Sequence, residues 1–200
     1  IVGAGTTTLS GTADSTLFNG EGTSNFTVTN GTLIDTNGEA LGAGDKAAQI
    51  TIGAGGAYYA TAGSPDNAIE LAGGTLSLGN ANRTYDGSIT TTANSVLNTR
   101  HFNDSDTTVD GRTMTFRSAI TGSNTLTIQG QSDANHDGDV FFQIDGTGAN
   151  ASINADTSGF SGDWILDGGV LQYGERGWDA ARAFRARGDR TRCGARGARR

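Results

Sequence analysis

Residues 73–90 read GGTLSLGNANRTYDGSIT. Leu76-Ser77-Leu78 alternates apolar with polar, the period-two mark of a short strand with one buried face. Gly73 and Gly74 before it, and Gly79 and Asn80 after it, are turn residues. The same design recurs along the chain. Phe26-Thr27-Val28, Ile50-Thr51-Ile52, Ile69-Glu70-Leu71 and Met114-Thr115-Phe116 repeat it. So do Leu126-Thr127-Ile128, Val140 to Ile144, Trp164-Ile165-Leu166 and Leu171-Gln172-Tyr173. Gly, Asn or Asp flanks nearly all of these units. No stretch keeps a 3.6-residue apolar period long enough for an amphipathic helix. The expected class is all-β.

Composition narrows the architecture. Hydrophobic residues make up 34% of the 200-residue chain, against about 45–50% in a typical globular domain. There are 32 glycines and a single proline. Thr, Ser, Asn and Asp fill much of the rest, and they favour turns and strand surfaces over helix interiors. Such a chain is either disordered or built on a thin core. The recurring apolar units favour the thin core. In a solenoid each coil cannot bury its apolar face alone, and stacking buries a narrow column of side chains. Three units begin alike, Gly31-Thr32-Leu33, Gly74-Thr75-Leu76 and Gly169-Val170-Leu171, at irregular intervals.

A second stretch, residues 156–174, reads DTSGFSGDWILDGGVLQYG. With residues 73–90 it resembles the autotransporter-associated β-strand repeat, roughly G-T-L-x-L-x-G-x-N-x-Y-x-G-x-x-x-I followed by G-G-x-L-x-x-G. Gly74, Leu76, Leu78, Gly79, Asn82, Tyr85, Gly87 and Ile89 occupy the pattern in the first stretch. In the second, Phe160 replaces the Tyr, and Gly162, Ile165, Gly168, Gly169 and Leu171 follow. Residues 122–130, GSNTLTIQG, look like the front half of that second unit, separated from the back half by an insertion. The resemblance covers about half of the chain. It implies a right-handed parallel β-helix (β-solenoid), exported to the bacterial cell surface, often ahead of an outer-membrane barrel. It also implies a structural role, as a stalk or adhesin-like passenger meeting surface glycans or proteins of a host or neighbouring cell. No barrel sequence is present.

Charge divides the chain in two. Residues 175–200 hold nine Arg against three acids, whereas residues 1–174 hold five basic residues against 18 acids, for a net charge of −7. The expected division is a passenger-like β-solenoid over residues 1–174 and an Arg-rich tail over 175–200. The tail, ERGWDAARAFRARGDRTRCGARGARR, reads either as a basic arm or as the frameshifted product of a GC-rich gene. The abrupt change favours the frameshift, with the tail disordered or weakly helical. A nucleic-acid partner is not expected of an acidic exported body. No run of 18 apolar residues exists, so no transmembrane helix is expected. A single cysteine, Cys193, excludes an internal disulfide. With Ile1 first and no leader before it, the chain reads as a fragment or a mature form of a longer exported protein.

The best local motif for chemistry runs from Asp133 through Asn135 and Asp137 to Gly138 and Asp139. It matches the first half of an EF-hand loop. Oxygen side chains at alternate positions converge on one cation, and the glycine permits the sharp turn. The twelfth position, where a bidentate Glu belongs, is Ile144. Asp133, Asn135, Asp137 and Asp139 are therefore a candidate calcium loop rather than an EF-hand, and the plain alternative is a polar turn between strands. Calcium is the one cofactor expected.

Asp104, Asp106 and Asp110 beside His101 form a second acidic group. Paired carboxylates can cleave glycosidic bonds, so a carbohydrate-active β-helix enzyme, a lyase or hydrolase, is the alternative to the structural reading. Beyond Arg100 and Arg112 no cationic constellation accompanies them, and an ordinary polar loop explains them better. No catalytic residue is assigned. The Thr6-Thr7-Thr8 and Thr90-Thr91-Thr92 runs raise ice binding, which needs Thr at constant spacing from coil to coil. The runs do not recur regularly, so strand-surface Thr is the better reading. Trp164, Tyr173, Tyr58 and Tyr59 could stack on sugars; Trp164 fits a core or coil-stacking place better.

Overall fold

The alternation seen in the sequence becomes alternating burial. In Gln49–Gly53 the side chains of Ile50 and Ile52 are fully buried, while Gln49 and Thr51 are half-buried on the other face. The computed structural model describes residues 4–9, 25–38, 40–42, 47–78, 82–99, 113–129, 139–142, 156–167 and 170–173; for Thr113, 139–142 and 170–173 it describes the backbone alone. Among these residues every regular element is a β-strand. In chain order they are β1 (Thr6–Leu9), β2 (Asn25–Val28), β3 (Gly31–Asp35), β4 (Gln49–Gly53), β5 (Gly56–Ala60) and β6 (Ile69–Ala72). Then come β7 (Thr75–Leu78), β8 (Arg83–Tyr85), β9 (Ile89–Ala93), β10 (Ser95–Asn98), β11 (Thr113–Phe116) and β12 (Ile120–Gly122). The last four are β13 (Leu126–Gln129), β14 (Asp139–Phe142), β15 (Trp164–Asp167) and β16 (Val170–Tyr173).

The strands form three sheets in which every strand pairing is parallel. One sheet has seven strands, β1-β3-β5-β7-β10-β13-β15; one has five, β12-β9-β6-β4-β2; one has four, β16-β14-β11-β8. Strands β1 to β5 alternate between the seven- and five-stranded sheets, and from β6 to β14 the chain visits all three in a fixed rotation. Strands β6, β7 and β8 enter the five-, seven- and four-stranded sheets in that order, and β9, β10, β11 and β12, β13, β14 repeat it. Each strand lies beside its counterpart from the pass before. Long parallel sheets of this kind fit a β-helix or solenoid.

Parallel stacking lines up the apolar residues into columns. Phe26, Ile50, Ile69, Ile89 and Ile120 are register partners down the five-stranded sheet. Leu33, Tyr58, Leu76, Leu97, Ile128 and Leu166 do the same down the seven-stranded sheet. Tyr85 lies beside Phe116 in the four-stranded sheet, their rings stacked 5.6 Å apart. The core is thus about two side chains per strand, which explains how so low an apolar fraction folds.

The corners explain the Gly and Asn. Gly73 (φ +100°) and Gly122 (φ +116°) turn the chain out of the five-stranded sheet in a conformation that a β-carbon disfavours. At Gly74 an added methyl would run into the Ile52 side chain one pass earlier. Asn side chains bridge successive corners: the Asn94 side-chain oxygen accepts from the Thr125 N–H at 3.0 Å, and the Asn124 side chain donates to the Thr91 carbonyl at 3.0 Å. These bonds satisfy backbone groups that the ladders leave over.

Stretches alike in sequence take different places in the fold. Gly31-Thr32-Leu33 and Gly74-Thr75-Leu76 enter the seven-stranded sheet, but Val170 and Leu171 enter the four-stranded one. Likewise Tyr85 lies in β8, whereas Phe160 makes an isolated parallel bridge to Gly122. A strand's sheet is set by its place in the rotation, and a Gly-Thr-Leu start does not encode that place.

Candidate functional site

Most of the sequence-derived candidates fall outside the described residues. These are Asp133, Asn135 and Asp137 of the calcium loop, the group His101, Asp104, Asp106 and Asp110, and the tail 175–200. Asp139 opens β14, and only its backbone is described. The flanks of the two acidic segments are described, and they are neighbours. Both segments join the seven-stranded to the four-stranded sheet, one between β10 and β11, the other between β13 and β14. Asn98 is the register partner of Gln129, and Thr113 of Asp139. The two segments therefore leave and rejoin the body one strand apart, which their spacing in the sequence does not reveal.

Among the described residues the densest polar group is internal. Asp35, at the end of β3, is fully buried. Its carboxylate accepts the N–H of Asn37 at 2.9 Å, the N–H of Gly38 at 2.8 Å and the hydroxyl of Tyr58 at 3.2 Å. A buried carboxyl group needs such partners, because a buried polar group left without hydrogen bonds costs about 1–3 kcal/mol. Burial, then the neighbouring Asp35, pushes the Tyr58 phenol well above its ordinary 10.0. Burial also raises Tyr85, whose hydroxyl donates to the Ser77 carbonyl at 2.6 Å. Both phenols are thus neutral hydrogen-bond donors inside the core. The Asp35 group was missed in the sequence, although Asp35-Thr36-Asn37-Gly38 carries the signature of an Asp-capped turn.

Two further polar groups lie nearer the surface. Glu70, on the five-stranded sheet, accepts from Thr92 at 3.0 Å, Thr51 at 3.3 Å and Gln49 at 3.5 Å. Arg117 pairs with Asp86 at 3.5 Å, both about one-third exposed, a placement worth at most about 1 kcal/mol. Asn67 is fully buried, and its amide donates to the Leu41 and Ala48 carbonyls at 3.2 and 2.9 Å. Each of these groups ties one pass of chain to another. Of the aromatic candidates, Tyr58 is wholly in the core, and Trp164 packs against the core with its ring 4.7 Å from Phe160.

Among the described residues no group of three or more His, Cys, Asp or Glu could hold a metal ion, and no helix is long and apolar enough to cross a membrane. No protein-family model, curated protein or solved structure matched the chain, so none of these comparisons identifies an autotransporter-associated repeat.

Proposed function

We propose that the chain belongs to a right-handed parallel β-solenoid and works as a non-catalytic structural module, a stalk or adhesin-like passenger of the autotransporter type, exposed at the cell surface. One observation carries this reading: from β6 to β14 the strands rejoin the same three sheets in the same rotation, and every strand is parallel to its sheet neighbour from the pass before. Such a body grows by adding passes, and its internal polar groups serve to lock neighbouring passes together. Surface glycans or proteins of a neighbouring cell are the proposed partners. Antibody raised against the chain should label intact cells of the source organism, and external protease should strip the label. Labelling only after lysis would overturn the surface role, and release of sugars from a polysaccharide panel would replace the structural reading with the enzymatic one.

The calcium loop belongs to the same proposal. Asp133, Asn135, Asp137 and Asp139 supply oxygens at the spacing that a calcium turn uses, and a bound ion would stiffen the excursion between β13 and β14. Calorimetric titration of the whole chain with calcium should give a binding heat that Asp137→Ala removes. A heat trace unchanged by that substitution would leave the segment a plain turn.

A further inference from the structure

We propose that Asn25 and Asn30 are acceptors for N-linked sugars. The inference goes beyond the stalk reading, which assigns no modification. An acceptor asparagine stands two residues before Ser or Thr, with any residue but proline between them. Five triplets in the chain fit: Asn25-Phe26-Thr27, Asn30-Gly31-Thr32, Asn82-Arg83-Thr84, Asn103-Asp104-Ser105 and Asn150-Ala151-Ser152. Asn103 and Asn150 lie outside the described residues. In a chain so rich in Asn and Thr the triplet alone decides little, and what each asparagine does in the fold decides more.

Elsewhere asparagine holds the corners together. Asn67 donates to the Leu41 and Ala48 carbonyls, Asn94 accepts from the Thr125 N–H, and Asn124 donates to the Thr91 carbonyl. None of these three begins a triplet. Asn25 and Asn30 differ. Both are exposed, and no hydrogen bond joins either side chain to another described residue. In β2 the period of two puts Asn25 and Thr27 on one face, both exposed, while Phe26 between them packs against the core. The amide and the hydroxyl that a glycosyltransferase must engage together therefore stand on one exposed face. Asn30 follows in the bend after β2, with Thr32 half-buried in β3. The Asn82 triplet is exposed at its first residue, but its middle residue ties it into the body: the Arg83 guanidinium donates to the carbonyls of Ala60, Thr61 and Asn82.

The sugar arrives activated as a diphosphate ester, and a transferase joins it to the chain. The amide nitrogen of Asn25 attacks the anomeric carbon, and a C–N bond forms as the C–O bond to phosphate breaks. The diphosphate leaves with the electron pair, and a base of the transferase takes the amide proton. Asn30 reacts in the same way. The position also gives the sugar a use. Strand β2 ends the five-stranded sheet among the described residues, and a strand at the end of a sheet invites pairing with other chains. A bulky, hydrophilic group beside that edge obstructs such pairing.

The test is peptide mass spectrometry of the chain recovered from its source organism. Sugar mass should appear on Asn25 and Asn30, while Asn94, exposed but outside any triplet, should carry none. A single-sugar increment marks a nucleotide donor, and a fixed oligosaccharide block marks a lipid-linked one; either supports the proposal. Thr27→Val keeps the asparagine but breaks its triplet, so it should clear Asn25 and leave Asn30 modified. Circular dichroism confirms that the variant is folded; should it not fold, Asn25→Gln takes its place, with the same loss expected. Bare asparagine at both positions overturns the proposal. So does sugar that stays on Asn25 in the folded Thr27→Val chain, or equal labelling of Asn94.

Discussion

Replacing Gly87 with Ala should cost about 3 kcal/mol, the upper end of what overpacking usually costs, although it adds one methyl group. Gly87 sits in the turn between β8 and β9, where its N–H and that of Asp86 both donate to the Pro65 carbonyl, at 3.3 and 2.8 Å. A β-carbon there would collide with the carbonyl oxygen of Asn67 and lie 2.7 Å from that of Asp66. Both are backbone atoms, so no side chain can swing aside. Relief requires the corner to move, and Asn67 anchors that corner to Leu41 and Ala48. Gly5→Ala is the matched control, because nothing lies within 4 Å of its added methyl. Urea unfolding followed by circular dichroism should show a lowered midpoint for Gly87→Ala and little change for Gly5→Ala. Equal midpoints would mean that successive passes are not packed this closely.

Asp35→Ala should be comparably harmful, at about 3 kcal/mol, through the opposite fault. It strands two backbone N–H groups and the Tyr58 hydroxyl in the interior, and each buried donor left unpaired costs about 1–3 kcal/mol. Tyr58→Phe removes one donor while leaving Asp35 its two backbone bonds, so about 1.5 kcal/mol is expected. The same urea experiment ranks the two. A larger loss for Tyr58→Phe would show that the carboxylate is a burden which the phenol alone relieves.

The strands were largely legible in the sequence, for a specific reason. Ile50-Thr51-Ile52 or Leu126-Thr127-Ile128 needs only local alternation to be recognised, and β4 and β13 lie there. Gly56–Ala60 was not read as a strand, because Gly and Ala have little strand preference; it is held between β3 and β7 on both edges. Ile89–Ala93 was hidden by its run of Thr, of which alternate members face opposite ways. Register was the illegible part. Asp35 meets Tyr58 only because β3 pairs with β5, and neither residue carries a local sign of the other. The rows across the seven-stranded sheet were illegible for the same reason: their members come from seven separate segments at unequal intervals. Of the calcium loop and the acidic group, the structure adds the neighbouring flanks and nothing of the ligand geometry.

Those unequal intervals have a consequence of their own. Ala57 pairs with Thr75, 18 residues on, while Leu126 pairs with Trp164, 38 residues on; yet both pairs lie side by side in one sheet. Pitch is therefore dictated by hydrogen bonds between strands and is indifferent to how much chain is spent at the corners. Segments between strands can lengthen, shorten or be exchanged without retuning the body, whereas one residue added inside a strand would turn its core face outward. The architecture separates a conservative spine from freely variable excursions, and new binding specificities can accumulate in the excursions while the spine stays as it is.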